Sequence, residues 1–235
     1  MTADATVDAT GDATGDATQR CLVLHSGGLD STVCLLLAKA RGREPISLGL
    51  RYGQRHDVEL DYAARQCARF GIERRIIDVA WDKPEIVIPT DRSMDDMRRA
   101  IAPTFLPGRN AVFLALACAE AAGVDASEVW LGVNAVDYSG YPDCRESFLN
   151  AFRAMWAEAV PNPPKIVSPL VKMTKPEIAA LAASLGLARG DTWSCYAPDL
   201  SHGEPRPCGR CDACILHEHA WAEAGRTEPG VIALA

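Results

Sequence analysis

The chain has 235 residues, 48% of them hydrophobic, and a formal net charge of −7, which is enough apolar material for the core of one ordinary domain. No apolar run approaches the ~18 residues of a membrane span, and the basic-then-apolar stretch of an export signal is missing. Nine cysteines without such a signal point to a reducing compartment, where thiols bind metal or sit buried. A cytoplasmic protein that does not enter the membrane is expected.

Residues 1–19 read as a tail. Ala3-Asp4-Ala5-Thr6, Val7-Asp8-Ala9-Thr10, Gly11-Asp12-Ala13-Thr14 and Gly15-Asp16-Ala17-Thr18 repeat one four-residue unit. It offers little but alanine to bury, and its Gly, Asp and Thr content opposes a helix, so disorder is expected. The tail holds four aspartates and no lysine or arginine, which leaves the body at −3. That body lacks the basic surplus of a nucleic-acid binder, and no nucleic-acid partner is expected.

Strand and helix patterns then alternate. Cys21 to Leu24 is a short apolar run, and Asp30 to Ala40 an apolar helix after Ser26-Gly27-Gly28. Ile46 to Tyr52 predicts a second strand, Asp57 to Phe70 a helix stopped by Gly71, and Ile76 to Val79 a third strand. Ala80 to Gly108 has no clear period; a loop of that length is usually functional. Asn110 to Ala122 predicts a helix closed by Gly123, Val129 to Val133 a fourth strand, Glu146 to Ala159 a helix, and Ile166-Val167 a fifth strand. Thr174 and Glu177 have capping-box spacing and open a helix that runs to Leu185. Strands alternating with helices argue for an α/β fold, a parallel sheet covered by helices on both faces.

Ser26-Gly27-Gly28-Leu29-Asp30-Ser31 joins the first strand to the first helix. Two glycines allow close backbone approach to a ligand, and the helix start offers unpaired N–H groups to an anion. A bare Gly-Gly pair is more often an ordinary turn; the full string in this context is more specific. The chain has no Walker motif and no dinucleotide fingerprint at this turn.

Cys208, Cys211 and Cys214 stand at two-residue spacings, with Cys195 thirteen positions before Cys208. Four thiolates can close a tetrahedral zinc site, structural because no position is left for water. An iron–sulfur cluster also takes four cysteines, but the ferredoxin runs are missing. Cys21, Cys34, Cys67 and Cys118 lie in apolar patterns and read as core. Cys144, in a polar loop, is the one reactive candidate.

The S-G-G-x-D-S string resembles the pyrophosphate loop of the PP-loop ATP pyrophosphatases, which cleave ATP between its α and β phosphates and adenylate a substrate oxygen. Arg51-Tyr52-Gly53-Gln54-Arg55-His56, Pro107-Gly108-Arg109-Asn110, the stretch from Gly132 to Arg145, and Thr192-Trp193-Ser194-Cys195-Tyr196 narrow the resemblance to the 7-cyano-7-deazaguanine synthase (QueC) family. With the cysteines, it runs from about Cys21 to Gly225.

The resemblance implies an adenine nucleotide α-hydrolase-like domain over residues 20–190, with 191–235 a zinc-binding segment packed on it. It implies ATP and Mg²⁺ beside structural Zn²⁺. The ATP contacts would be His25, Ser26, Gly27, Gly28, Leu29, Asp30, Ser31, Thr32, Val33, Cys34 and Leu35, with Tyr52 and Gln54 along the adenosine. Asp30, Ser31, Arg109, Lys172 and Lys175 would be catalytic. Asn134, Asp137, Tyr138, Tyr141, Asp143 and Arg145 would grip 7-carboxy-7-deazaguanine. Its carboxylate would be adenylated, ammonia would displace AMP to give the amide, and a second adenylation would drive dehydration to the nitrile. Ammonia is expected from solution, since no glutaminase domain fits this length, and a homodimer is an admissible assembly. Rival readings are a related PP-loop enzyme coupling another nucleobase or modifying tRNA, and a zinc-ribbon binding module. Two departures stand out: His25, where the family pattern has an apolar or aromatic residue, and His217, where it has a basic one, usually arginine.

Overall fold

The computed structural model describes residues 19–54, 57–82, 86–99, 101, 103–134 and 141–225; the repeat of the tail lies outside them. Five strands, β1 (Arg20–Leu24), β2 (Glu44–Arg51), β3 (Glu73–Asp78), β4 (Glu128–Leu131) and β5 (Lys165–Val167), form one sheet. Every pairing is parallel, in the order β3-β2-β1-β4-β5. Parallel neighbours need crossovers. Between successive strands run α1 (Leu29–Ala40), then α2 (Val58–Phe70), then α3 (Met94–Arg99) with α4 (Arg109–Gly123), then α5 (Glu146–Ala159); α6 (Lys175–Ser184) and α7 (Asp212–Ala224) follow β5.

The pleat divides the side chains between two cores. Cys21 and Val23 of β1 and Trp130 of β4 join α1, Ile178 and Ala179 of α6, and Ala220 of α7. Leu22, Val129 and Leu131 face the other way, onto Leu114 and Ala117 of α4 and Leu149 and Phe152 of α5. Both faces are thus covered, as the alternating elements predicted. Val33, Cys34, Leu35 and Ala38 of α1 are fully buried, so the helix is enclosed between the sheet and α6, which its all-round apolar composition requires. The capping box at α6 forms: Glu177 N–H donates to Thr174 Oγ1 at 3.4 Å, and the Thr174 N–H donates to the Glu177 carboxylate at 2.6 Å. Such a cap is worth about 1 kcal/mol.

The structure departs from the periodicities in a few places. β3 starts at Glu73, three residues before Ile76, because Glu73, Arg74 and Arg75 pair with Ile46, Ser47 and Leu48 at the sheet edge. An edge strand tolerates charged residues, which hides it from a hydrophobic pattern. α4 includes Gly123 and closes at Val124. The aperiodic stretch holds α3, and α7 begins inside the cysteine cluster.

The chain turns from β1 to β2 and β3, then crosses back to β4 on the other side of β1. Adjacent loops diverge at such a switch point and leave a crevice beyond the carboxyl ends of the strands. Among the described residues no helix is long and apolar enough to cross a membrane.

Candidate functional site

A cleft of about 710 Å³ opens at that crevice. Its floor is the ends of β1, β2 and β4, at Leu24, Leu50 and Leu131, and its far wall is Ala213, Leu216 and His217 of α7. The glycine-rich turn lies between them.

Gly27 has φ +96°, and a Cβ there would meet the Glu59 carbonyl oxygen at 2.3 Å, so only glycine fits. The turn is tied internally: Ser26 N–H donates to Ser31 Oγ at 3.2 Å, and Ser31 Oγ donates to the Gly28 carbonyl at 3.1 Å. It is also tied from behind. Trp193 N–H donates to the Gly27 carbonyl at 3.0 Å, and Gln66 Nε2 donates to the same oxygen at 3.2 Å.

His25 belongs to this support. Gln66 Oε1 can only accept, so His25 Nε2 donates to it at 2.9 Å and Nδ1 accepts from Ser47 Oγ, also at 2.9 Å. Burial, with the Arg74 guanidinium adding to it, holds the imidazole down to about 3, so the ring is neutral and serves as a two-ended spacer. Thr32 is fully buried and donates to the Gly28 carbonyl at 2.7 Å. Val33, Cys34 and Leu35 lie in the core behind the helix start.

Asp30 pairs with Lys175 from the start of α6, each side chain about one-fifth exposed. The other Asp30 oxygen, Oδ1, is buried without a hydrogen-bond partner among the described residues. His25, Ser26, Gly28, Leu29, Asp30, Ser31, Tyr52, Gln54, Arg109, Asn134, Tyr141 and Lys175 all line this cleft. Tyr52 packs edge-on against Phe113, ring centroids 5.1 Å apart, and its N–H donates to Gln54 Oε1 at 2.9 Å. The Arg109 guanidinium hydrogen-bonds Tyr52 and lies within electrostatic reach of Tyr141 and Tyr196. Asn134 donates to the Met173 carbonyl, and Tyr141 and Thr104 share a hydroxyl hydrogen bond of 2.6 Å.

Other expected residues stand elsewhere. Lys172 is 79% exposed and faces Glu146 at 3.8 Å, outside this cleft. Asp143 is buried and accepts from the Asn110 N–H at 3.1 Å, which uses it to cap α4. Arg145 is exposed. Asp137 and Tyr138 lie outside the described residues. Cys144 corrects the expectation of a reactive thiol: burial, with Asp143 beside it, pushes it up to about 12, which leaves almost no thiolate at neutral pH.

Glu59 is a residue that sequence reasoning did not single out. It lines the cleft, and burial raises its carboxyl to about 7 against the opposing pull of Arg109. The only signal was its place in the first turn of a predicted helix, where acidic residues are ordinary.

Cys195, Cys208, Cys211 and Cys214 place their sulfurs within 4.8 Å of one another. A tetrahedral zinc with bonds of ~2.3 Å needs sulfurs ~3.8 Å apart, so a small contraction closes the set. Backbone N–H groups already point at the sulfurs: Cys208 donates to Cys195 Sγ at 3.2 Å, and Cys211 to Cys208 Sγ at 3.4 Å. The cluster is wired to the turn through Trp193, whose Nε1 donates to the Cys195 carbonyl at 2.9 Å while its own N–H holds Gly27. Residues 90–92 brace it from the other side: Thr90 bridges Cys211, and Arg92 pairs with Asp212 at 2.8 Å. The aperiodic stretch is therefore partly a strap over the metal segment. His217 stays in the same framework, with Nε2 donating to the Arg189 carbonyl at 3.2 Å and Nδ1 accepting from Ser194 Oγ at 3.1 Å.

Similarity to known proteins follows the same residues. The family model of the queuosine biosynthesis protein QueC matches residues 20–225. A "7-cyano-7-deazaguanine synthase 2" of Rhodopseudomonas palustris (strain HaA2) is 53% identical over 205 residues, covering 87% of this chain and 98% of that one. The 7-cyano-7-deazaguanine synthases of Myxococcus xanthus (strain DK1622) and Kineococcus radiotolerans are 42% and 41% identical, over 90% and 88% of this chain and 96% and 95% of theirs. The glycine-rich turn, the four-cysteine cluster and the cleft between them all fall inside the matched span, and the chain belongs to the QueC family, that of the 7-cyano-7-deazaguanine synthases.

Proposed function

We propose that this chain converts 7-carboxy-7-deazaguanine and ammonia to 7-cyano-7-deazaguanine, driven by ATP, in the cytoplasm. The observation that carries the proposal is the Ser26–Ser31 turn opening at the switch point of the sheet into the same cleft as Arg109, Lys175 and the metal segment. A turn that brings the hydroxyls of Ser26 and Ser31 and the start of a helix to a cleft suits the pyrophosphate of ATP. Leu50, Tyr52, Gln54 and Phe113 form the apolar and aromatic side of the cleft and suit the adenosine.

The chemistry needs orientation and charge stabilisation more than a nucleophile from the protein. The substrate carboxylate attacks the α-phosphate, pyrophosphate leaves, and an acyl adenylate forms. Ammonia displaces AMP to give the amide; the amide oxygen is then adenylated in turn, and loss of AMP and a proton leaves the nitrile. Lys175 and Arg109 offset negative charge in these steps, and Lys172 is too exposed for that role. Asn134 and Tyr141 contact the substrate from the β4 side. Asp143 and Arg145 act at most indirectly, through α4 and α5.

The unpartnered Asp30 Oδ1 fits a magnesium ion, which would neutralise the leaving pyrophosphate. The four cysteines fit zinc, which would brace the Trp193–Gly27 contact rather than take part in chemistry. We read residues 20–190 as the nucleotide-binding domain and 191–235 as its zinc segment. Mass spectrometry after incubation with ATP, Mg²⁺, ammonium and the carboxylate tests the proposal: amide and nitrile should appear in sequence, and a carboxylate left unchanged overturns it.

A further inference from the structure

We propose that Asp212 is the specificity-determining residue that reads the N–H edge of the guanine-like ring, at the metal-segment end of the cleft. The inference rests on the proposed function and adds a residue to Asn134, Asp137, Tyr138, Tyr141, Asp143 and Arg145, the set that the family resemblance implies for the base.

Asp212 opens α7 directly after Cys211, is 5% exposed and lines the cleft. Its two oxygens differ. Oδ2 accepts from Arg92 Nη1 at 2.8 Å, while Oδ1 is buried with no hydrogen-bond partner among the described residues. Arg92 is itself held, donating from Nη2 to the Asp96 carbonyl at 2.7 Å, so the carboxylate is fixed in rotation with one acceptor unused. A buried acceptor left without a donor is costly and uncommon, and at the wall of a binding cleft the missing donor is naturally a ligand's.

The neighbours suit a flat ring. Met97, Tyr141, Ala213 and Leu216 line the same cleft. A planar heterocycle seated among them must offer an N–H to Oδ1. The 2-amino-4-oxo edge of a deazaguanine carries such a donor in its exocyclic 2-amine, and Oδ1, as the single acceptor left on Asp212, is assigned to that amine. Asp143 also keeps one buried oxygen without a partner among the described residues, but unlike Asp212 it does not line the cleft, and Arg145 is exposed.

The test compares kcat/KM for 7-carboxy-7-deazaguanine and for the analogue lacking the 2-amino group, in the wild type and in Asp212→Asn. Arg92 will claim the amide oxygen of the asparagine, which turns its NH₂ toward the ring and removes the acceptor. The wild type should favour the amino compound by ~10- to 100-fold or more, as sites built around a hydrogen bond do. Asp212→Asn should bring that ratio close to one, with the loss in KM for the base while KM for ATP and zinc per chain stay unchanged. A wild-type ratio near one overturns the proposal without recourse to any variant. So does a variant that keeps the ratio, or one that loses zinc and weakens both compounds and ATP alike, which would make Asp212 a scaffold residue. No turnover of either compound by the wild type would instead overturn the functional proposal on which this one stands.

Discussion

A Cβ on Gly132 would lie 2.6 Å from the carbonyl oxygen of Asp30. Gly132 follows the last residue of β4, so the sheet presses its bare backbone against the first turn of α1. That contact holds the start of α1 at the cleft. Gly132→Ala should push the turn outward, raise KM for ATP by ~10-fold or more and destabilise the protein by ~1–3 kcal/mol, the usual cost of overpacking. Steady-state kinetics and urea unfolding check both.

Asp30 and Lys175 are partners in the free protein and face the cleft together. Asp30→Ala and Ser26→Ala should lower turnover by ~10²-fold or more, with a circular dichroism spectrum and Tm close to wild type, because both groups stand at the ligand surface. Lys175→Met should behave likewise, and Lys172→Ala should stay within ~2-fold as the exposed control. Full activity in Asp30→Ala would remove the pyrophosphate assignment.

Turnover should release pyrophosphate and AMP, which ³¹P NMR resolves from ADP and phosphate. ADP and phosphate as the sole products would contradict adenylation.

Purified protein should carry about one zinc per chain. Cys211→Ser should lose it along with soluble yield, since metal binding here is partly folding energy. Because Trp193 joins Cys195 to Gly27, any soluble fraction of that variant should also bind ATP more weakly. Deleting residues 1–19 should change none of these readouts.

Glu59 gives the protein a pH dependence with a defined sign. Its folded carboxyl sits at about 7 against an ordinary value of 4.5, so the protonated form is favoured in the folded state. That contribution is complete below pH 4.5 and is lost as pH rises through 7, on the order of 3 kcal/mol in all. Glu59→Gln should therefore flatten the fall in Tm between those values and gain on the wild type above pH 7. Parallel curves for the two proteins would contradict the raised carboxyl of Glu59.

The sequence alone was enough to read the alternation of strands and helices, the strand–turn–helix setting of Ser26–Ser31 and the four-cysteine set. These are local features: apolar period, glycine at a tight turn and ligand spacing are each written within a few dozen residues. It could not separate Lys172 from Lys175, three positions apart, because only packing decides that one meets Asp30 and the other meets solvent. It could not show that Thr32, Val33, Cys34 and Leu35 support the turn from behind rather than face the cleft, since burial on all sides depends on α6 and the sheet. Glu59 and Asp212 were invisible as site residues for the same reason. A carboxyl becomes unusual only when distant segments, here Arg109 for the first and Arg92 for the second, close around it and exclude water, and that enclosure is a property of the tertiary structure.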